Sequence, residues 1–292
     1  MSDYNQSVLT DEVIKAFGNA PTERLQVLMK TLAKHVHAFA QEVDLTPEEW
    51  LQGLQFLTKT GQISTERRPE FILLSDVMGL SMMVVSLAQA RNSQSTEGAT
   101  EATVEGPFYW PGAPEVALGG DIAEGVSGEP AYYTGSVTDV AGKPLAGALL
   151  DLWSGDGEGN YDVQLSPDPS MRARGKIRTD EHGRYRFWSI RPTYYPIPDD
   201  GPVGDLMRAT RRSINRPGHI HMMVSAEGHV PVTTHLFVAN SPYLHEDAVF
   251  GKRDSLVVEF KEHPPGVAAD GRELKTPYYT VDYDFRLAKA AE

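Results

Sequence analysis

Residues 219–238 read HIHMMVSAEGHVPVTTHLFV, two β-prone runs (His219–Ser225 and Val232–Val238) either side of Glu227-Gly228. Apolar and polar side chains alternate within them, the period of a strand with one buried face, and the Glu-Gly step marks a turn. The same pattern extends in both directions. Tyr133–Val140 and Ala146–Trp153 flank AGKPLAG, while Lys176–Thr179 and Tyr185–Ile190 flank Asp180-Glu181-His182-Gly183, which reads as a hairpin. Leu256–Phe260 and Tyr279–Phe285 are later candidates. Short strands at this spacing, with Gly and Pro between them, predict an antiparallel sandwich or barrel.

Upstream the period changes to three and four. After Pro21, apolar residues recur at Leu25, Leu28, Leu32, Val36, Phe39, Ala40 and Val43, one stripe of a helix. Thr46-Pro47-Glu48-Glu49 predicts a new helix, with Thr46 as N-cap and Glu49 completing a capping box. Trp50, Leu54 and Leu57 share its face, and Gly61 is a candidate stop. Pro69 to Arg91 reads as a third long helix, apolar on most sides, and residues 92–99, NSQSTEGA, as a linker. The expected class is α+β: an all-helical domain over 1–99, then an antiparallel β-sandwich domain over 100–292.

The chain has 292 residues, enough for two domains at about 150 each. Its 27 basic and 40 acidic side chains leave a net charge of −13, which repels phosphates and argues against nucleic acid or a membrane surface as partner. There are no cysteines, so disulfides, thiolate metal sites and cysteine nucleophiles are excluded. The N-terminal MSDYNQSVLTDEV lacks the basic and apolar segments of a secretory signal, and a cytoplasmic protein is expected. The most apolar window, Phe71–Ala90, carries Asp76, three serines and Gln89, and reads as a buried helix, not a membrane span.

Two histidine pairs are spaced by two. His35 and His37 fall on a helix, where residues two apart diverge; His219 and His221 fall on a strand, where they share a face and can converge on one metal. Without cysteines, further ligands must be Asp, Glu, Tyr or His. Phenolate binding needs a hard, highly charged ion such as Fe(III), because a phenol with pKa near 10 is otherwise a poor ligand. Tyr161, in the Gly-rich GDGEGNYDVQ, and Tyr194 and Tyr195, among the prolines of RPTYYPIPDDGP, are the tyrosines in settings that restrict the backbone.

The strings GPFYWPGAP, DLWSGDGEGNYD, TDEHGRYRF, YYPIPDDGP and RPGHIH, in that order and spacing, resemble the intradiol ring-cleavage dioxygenases. The N-terminal helical region is similar to that of the catechol and hydroxyquinol 1,2-dioxygenase branch. The resemblance implies one non-haem Fe(III) per chain, held by Tyr161, Tyr195, His219 and His221. It selects Tyr195 over Tyr194 by its place before Pro198, Gly201 and Pro202, leaving Tyr194 a packing role. It implies further that Tyr195 takes a substrate proton as it leaves the iron, that Arg216 steadies developing negative charge at the substrate, and that O2 is the co-substrate with no organic cofactor.

Three features resemble the hydroxyquinol side of that branch. Asp76 stands where catechol-cleaving members tend to have an apolar residue or proline; it either pairs with an arginine such as Arg91 or accepts a hydrogen bond from a third ring hydroxyl. His235, in TTHLFV, replaces a glutamine, and Asp247–Val257, DAVFGKRDSLV, is the third feature. By analogy Leu73, Asp76, Val104, Pro107, Phe108 and Ile197 would line the pocket, together with Arg216 and His235. The implied reaction cleaves 1,2,4-trihydroxybenzene to 3-hydroxy-cis,cis-muconate, the tautomer of maleylacetate. Catechol or chlorocatechol is the alternative substrate, and a non-catalytic transthyretin-like binding module the alternative class. The broad apolar surface of the helical region predicts a homodimer, and the resemblance adds a lipid as a candidate ligand there.

Overall fold

Five helices come first among residues 6–91, 97–165 and 171–290, which this computed structural model describes: α1 (Gln6–Phe17), α2 (Glu23–Glu42), α3 (Pro47–Ile63), α4 (Glu70–Val77) and α5 (Leu80–Arg91). The α3 start follows the expected capping box: the Thr46 amide donates to Glu49 Oε2 at 3.0 Å and the Glu49 amide to Thr46 Oγ1 at 3.3 Å. Gly61 does not end α3, which runs on to Ile63; one interior glycine costs a helix only about 1 kcal/mol. The periodicity had not singled out α1.

The expected long helix over 69–91 is two helices, bent by 72° at Met78-Gly79. Gly79 takes φ +73° and its amide bonds the Asp76 carbonyl at 2.9 Å, a left-handed closure that a continuing helix cannot accommodate. Among the described residues no single helix is long and apolar enough to cross a membrane. Residues 92–96 of the expected linker lie outside the described residues.

The chain divides into two compact units, Met1–Lys59 and Thr60–Glu292. Within the first, α1 packs on α2, where Thr10 Oγ1 and His37 Nδ1 hydrogen-bond at 2.9 Å. Leu28, Leu32, Val36 and Phe39 of α2 and Trp50, Leu54 and Leu57 of α3 are all exposed.

The second unit holds the sheets: β1 (Pro130–Asp139), β2 (Leu149–Trp153), β3 (Arg174–Arg178), β4 (Arg184–Ile190), β5 (Tyr195–Pro196), β6 (Asn215–Arg216), β7 (His219–Ser225), β8 (Val232–Val238), β9 (Val257–Val258), β10 (Lys261–His263), β11 (Gly266–Val267), β12 (Glu273–Leu274), β13 (Tyr278–Asp282) and β14 (Phe285–Leu287). One sheet runs β3-β2-β7-β8-β9; the other runs β10-β13-β1-β14, with β4 also on β1. The sandwich stands, but its sheets are mixed and not purely antiparallel. β13 and β14 lie parallel to β1 along one edge, and β9 parallel to β8. Each is reached by a long connection, which parallel neighbours require. The turn at 180–183 closes no hairpin: β3 pairs with β2 and β4 with β1, so it crosses from one sheet to the other. The β7–β8 hairpin forms as expected.

Alternation along these strands separates two environments. Leu150, Leu152, Ile220, Met222, Val224 and Leu236 meet Tyr133, Val137 and Phe187 of the other sheet in the main core. His219 and His221, and opposite them His235 and Phe237, occupy the alternate positions and face away from it. A smaller core of Leu73, Val77, Val104, Ile197, Val203 and Met207 ties α4 to the 104 and 197 loops and to the helix Pro202–Ala209.

Candidate metal centre

Three backbone devices bring four side chains together. Strand β7 presents both imidazoles on one face. Tyr161 lies at the end of a tight loop in which Asp156 Oδ1 accepts the Glu158 and Asn160 amides, each at 2.9 Å. Gly159 in that loop, at φ +87°, lies so close to the next segment that a Cβ would sit 2.7 Å from Tyr195 Cβ and 3.0 Å from the Tyr194 carbonyl, so only glycine fits. Tyr195 in turn pairs with Arg216 through the two-residue β5–β6 ladder.

The result is a buried cluster. The Tyr161 hydroxyl is 2.8 Å from His221 Nε2 and 3.3 Å from the Tyr195 hydroxyl, which is 3.4 Å from His219 Nε2. Donors about 2.0–2.2 Å from a shared ion stand this far apart. Tyr161, Tyr195, His219 and His221 are each at most 3% exposed. His219 Nδ1 lies 2.6 Å from the Pro217 carbonyl, which fixes that nitrogen as the protonated one and leaves Nε2 as the acceptor facing the cluster. His221 meets the Glu105 backbone and His235 the Val104 backbone, and no side chain bonds His221 Nδ1 or either ring nitrogen of His235. Tyr194 points elsewhere, half-exposed against Tyr243 at 5.2 Å between ring centroids.

Electrostatics favour neutral donors before metal arrives. Burial pushes the Tyr161 phenol well up, and the neighbouring Tyr195 adds to this. Burial also raises Tyr195, but Arg216 opposes the shift. His219 is lowered to about 3, chiefly by burial and then by Arg216; His221 is held down by burial and then by His219 and Arg216, and His235 by burial and then by His221 and His219. Two phenols and two neutral imidazoles fit a highly charged ion, which would displace the phenolic protons and have its charge offset by the two phenolates.

Arg216 Nη1 lies 3.4 Å from the Tyr195 hydroxyl and 3.1 Å from His219 Nε2. Burial disfavours its charge, yet Asp247 more than compensates and holds its pKa above the ordinary arginine value. Asp247 accepts from Arg216 Nε at 2.9 Å and Nη2 at 3.3 Å, and from the Gly251 amide at 2.9 Å. Sequence reasoning missed this anchor, along with Arg174, which donates to Asp162 (Nε, 2.7 Å) and to the Phe108 carbonyl (2.8 Å) behind Tyr161. It also missed Trp153, whose ring stacks on His221 at 4.7 Å. Asp162 and Trp153 stand inside the DLWSGDGEGNYD string; Asp247 and Arg174 carried no local signal of their partners.

A cavity of about 500 Å³ opens between Arg67, Arg68, Leu73, Pro107, Phe108 and Ile197. Phe108, which stacks on Tyr161 at 4.5 Å, borders both this cavity and the cluster. Asp76, Val104, Arg216 and His235 lie outside its lining. Asp76 is 2% exposed on α4; it forms no ion pair with Arg91, and hydrogen-bonds Ser81 within electrostatic reach of Arg216 and Asp247. Burial raises its pKa, which Ser81 and Arg216 partly offset. His235 is fully buried against His219, His221 and Phe237.

Two family descriptions match the chain: "Dioxygenase" over residues 104–289 and "Catechol dioxygenase N terminus" over 22–96. Hydroxyquinol 1,2-dioxygenase of Rhodococcus opacus is 47% identical over 268 residues, 91% of this chain and 88% of the relative. The 6-chlorohydroxyquinol 1,2-dioxygenase of Cupriavidus pinatubonensis is 44% identical over 98% of this chain and 99% of the relative. The crystal structure of hydroxyquinol 1,2-dioxygenase from Pseudomonas putida superposes with a TM-score of 0.88 at 38% identity, covering 98% of this chain and 99% of that one. With the family come a metal centre and O2-dependent chemistry on an aromatic diol, which this cluster of phenols and imidazoles suits. The chain belongs to the intradiol ring-cleavage dioxygenases.

Proposed function

We propose that this chain is a hydroxyquinol 1,2-dioxygenase: it cleaves 1,2,4-trihydroxybenzene with O2, between adjacent hydroxylated carbons, to 3-hydroxy-cis,cis-muconate and its tautomer maleylacetate. The observation that carries the metal reading is the meeting of two buried phenols with two neutral imidazoles within 2.8–3.4 Å. Tyr161, Tyr195, His219 and His221 would hold one Fe(III), which supplies the activation of the bound ring toward O2.

The protein's own part is proton handling and orientation. Tyr195 takes a proton from one of the substrate's two adjacent hydroxyls. Arg216, fixed by Asp247, keeps Nη1 beside the Tyr195 oxygen and stabilises negative charge on the bound ring. Tyr161, walled in by Phe108 and His221, remains a ligand. Leu73, Pro107, Phe108 and Ile197 exclude water from the ring, with Val104 behind them.

Asp76 supports the third hydroxyl. A buried carboxylate near Arg216, without an ion pair to Arg91, offers an acceptor that a trihydroxylated ring satisfies and catechol does not. His235, in the wall behind His219 and His221, would complete the substrate side. Steady-state oxygen uptake with hydroxyquinol and with catechol tests the assignment; a clear preference for catechol would overturn it.

The helical region, residues 1–99, serves as the dimerisation domain in this reading, with α4 lending Leu73 and Asp76 to catalysis by residues 100–292. Support comes from the exposed Leu32, Val36 and Phe39 of α2 and Trp50 and Leu54 of α3, an apolar surface that a second copy, or a lipid, would cover. The lack of cysteines suits a cytoplasmic enzyme.

A further inference from the structure

We propose that the pocket has a second metal-binding mode, in which His219, His221 and His235 together hold a divalent borderline ion such as Zn(II). This goes beyond the ferric reading and shares two ligands with it.

The sheet builds the trio. His219 and His221 lie two apart on β7, and His235 of β8 is directly opposite His221 in the antiparallel register, so all three project from one face. Their ring centroids form a near-equilateral triangle: 4.7 Å for 219–221, 4.6 Å for 219–235 and 4.3 Å for 221–235. One nitrogen from each lies within 4.8 Å of the others. Three imidazoles on one Zn(II), with the fourth position left to water, is a known donor set for this ion, at Zn–N distances of about 2.0–2.1 Å. Closing the present spacing onto an ion requires rotation of side chains, and no side-chain hydrogen bond holds His235 in place.

The ferric reading gives His235 no place among the ligands. His235 is 0% exposed, its ring meets the Val104 backbone, and no side chain hydrogen-bonds it, so a ring nitrogen with its lone pair is left within the cluster. A metal ion would satisfy it. The choice between modes follows from the ion's charge. A ferric ion can displace the two phenolic protons and take Tyr161 and Tyr195; a divalent ion does so far less readily and finds a neutral alternative in the third imidazole. Because His219 and His221 belong to both sets, the two modes exclude each other, and Zn(II) competes with iron.

The test uses the metal-free full-length chain titrated with zinc chloride by calorimetry. One Zn(II) per chain is expected. His235→Gln should weaken binding at least tenfold, whereas Tyr161→Phe and Tyr195→Phe should each change it less than threefold. Unchanged affinity in His235→Gln, or an equal loss in Tyr195→Phe, would overturn the proposal. Zn K-edge X-ray absorption of the wild-type complex does not depend on how the variants fold: three imidazoles support the trio, and two imidazoles with phenolate oxygen refute it. Separate loading with Fe(III) reads the other mode, since tyrosinate-to-iron colour depends on the phenols whatever zinc does.

Discussion

Tyr195 and Arg216 face each other across a ladder only two residues long, which sets the guanidinium Nη1 3.4 Å from the phenol oxygen. The other side of the same guanidinium is fastened to Asp247, so one short pairing and one buried ion pair fix the geometry around the phenol proposed as proton acceptor.

Asp247→Asn should therefore reach the active site without touching substrate. Breaking a buried ion pair costs about 3–5 kcal/mol when a charge is left alone; asparagine keeps part of the hydrogen bonding, so the cost should be smaller. We expect a lower melting temperature and a kcat reduced by more than the rise in KM. Wild-type kcat with a lowered melting temperature would assign Asp247 to stability alone.

Tyr195→Phe removes the proposed base and leaves three of the proposed ligands. A loss of roughly 10²–10⁴-fold in turnover is expected from the general-base contribution, whereas Tyr161→Phe should chiefly reduce iron content and bleach the tyrosinate-to-iron absorption. Iron assay and visible spectra of the two variants distinguish these effects. Full turnover in Tyr195→Phe would remove the assigned role.

Asp76→Ala should discriminate between substrates. A hydrogen bond to a charged group is worth about 1.5–3 kcal/mol, which corresponds to roughly ten- to hundredfold in kcat/KM for hydroxyquinol. Catechol, with no third hydroxyl, should lose much less. Equal losses for both rings would make Asp76 a structural residue.

The metal-free protein should lose stability in acid. His219, lowered to about 3 from 6.5, binds fewer protons folded than unfolded. Its contribution is thus complete above about 6.5 and declines as the pH falls toward 3. His221 and His235 act in the same direction. Asp76, raised by burial, has the opposite sign: it favours the fold at low pH and the benefit fades as pH rises above its unfolded value. Glu105 and Asp151, also raised by burial, share the sign of Asp76. The three histidines, together with Asp247, which Arg216 holds down against burial, outweigh these carboxyls, so urea midpoints should drop between about pH 7 and pH 4. Constant midpoints would contradict the buried, neutral imidazoles.

Phe39→Asp and Leu32→Asp, two exposed apolar positions of α2, should convert a dimer to monomers if that face is the interface. Light scattering at micromolar concentration checks it: a monomeric wild type would contradict the dimer.

The sequence made the β7–β8 hairpin and the convergence of its histidines legible, because strand alternation is a local property. Tyr161 and Tyr195 were recognisable only through five ordered strings, since nothing local says that Gly159 presses its loop against the Tyr195 backbone. The break at Gly79 was hidden by an unbroken apolar run: composition signals burial and does not signal direction. The parallel partners of β1 were likewise invisible, because pairing across a long connection leaves no periodic mark. Asp247 became meaningful only when Arg216, 31 residues away, was found beside it.

The β7 pleat gives odd and even residues different employers: Ile220, Met222 and Val224 belong to the sandwich interior, His219 and His221 to the opposite surface of the sheet. Deleting or inserting one residue in this strand would exchange the two sets, driving imidazoles into hydrocarbon and turning aliphatic side chains toward the reaction chamber. Fold and chemistry would fail in the same event, so the strand's length is held as tightly as its composition.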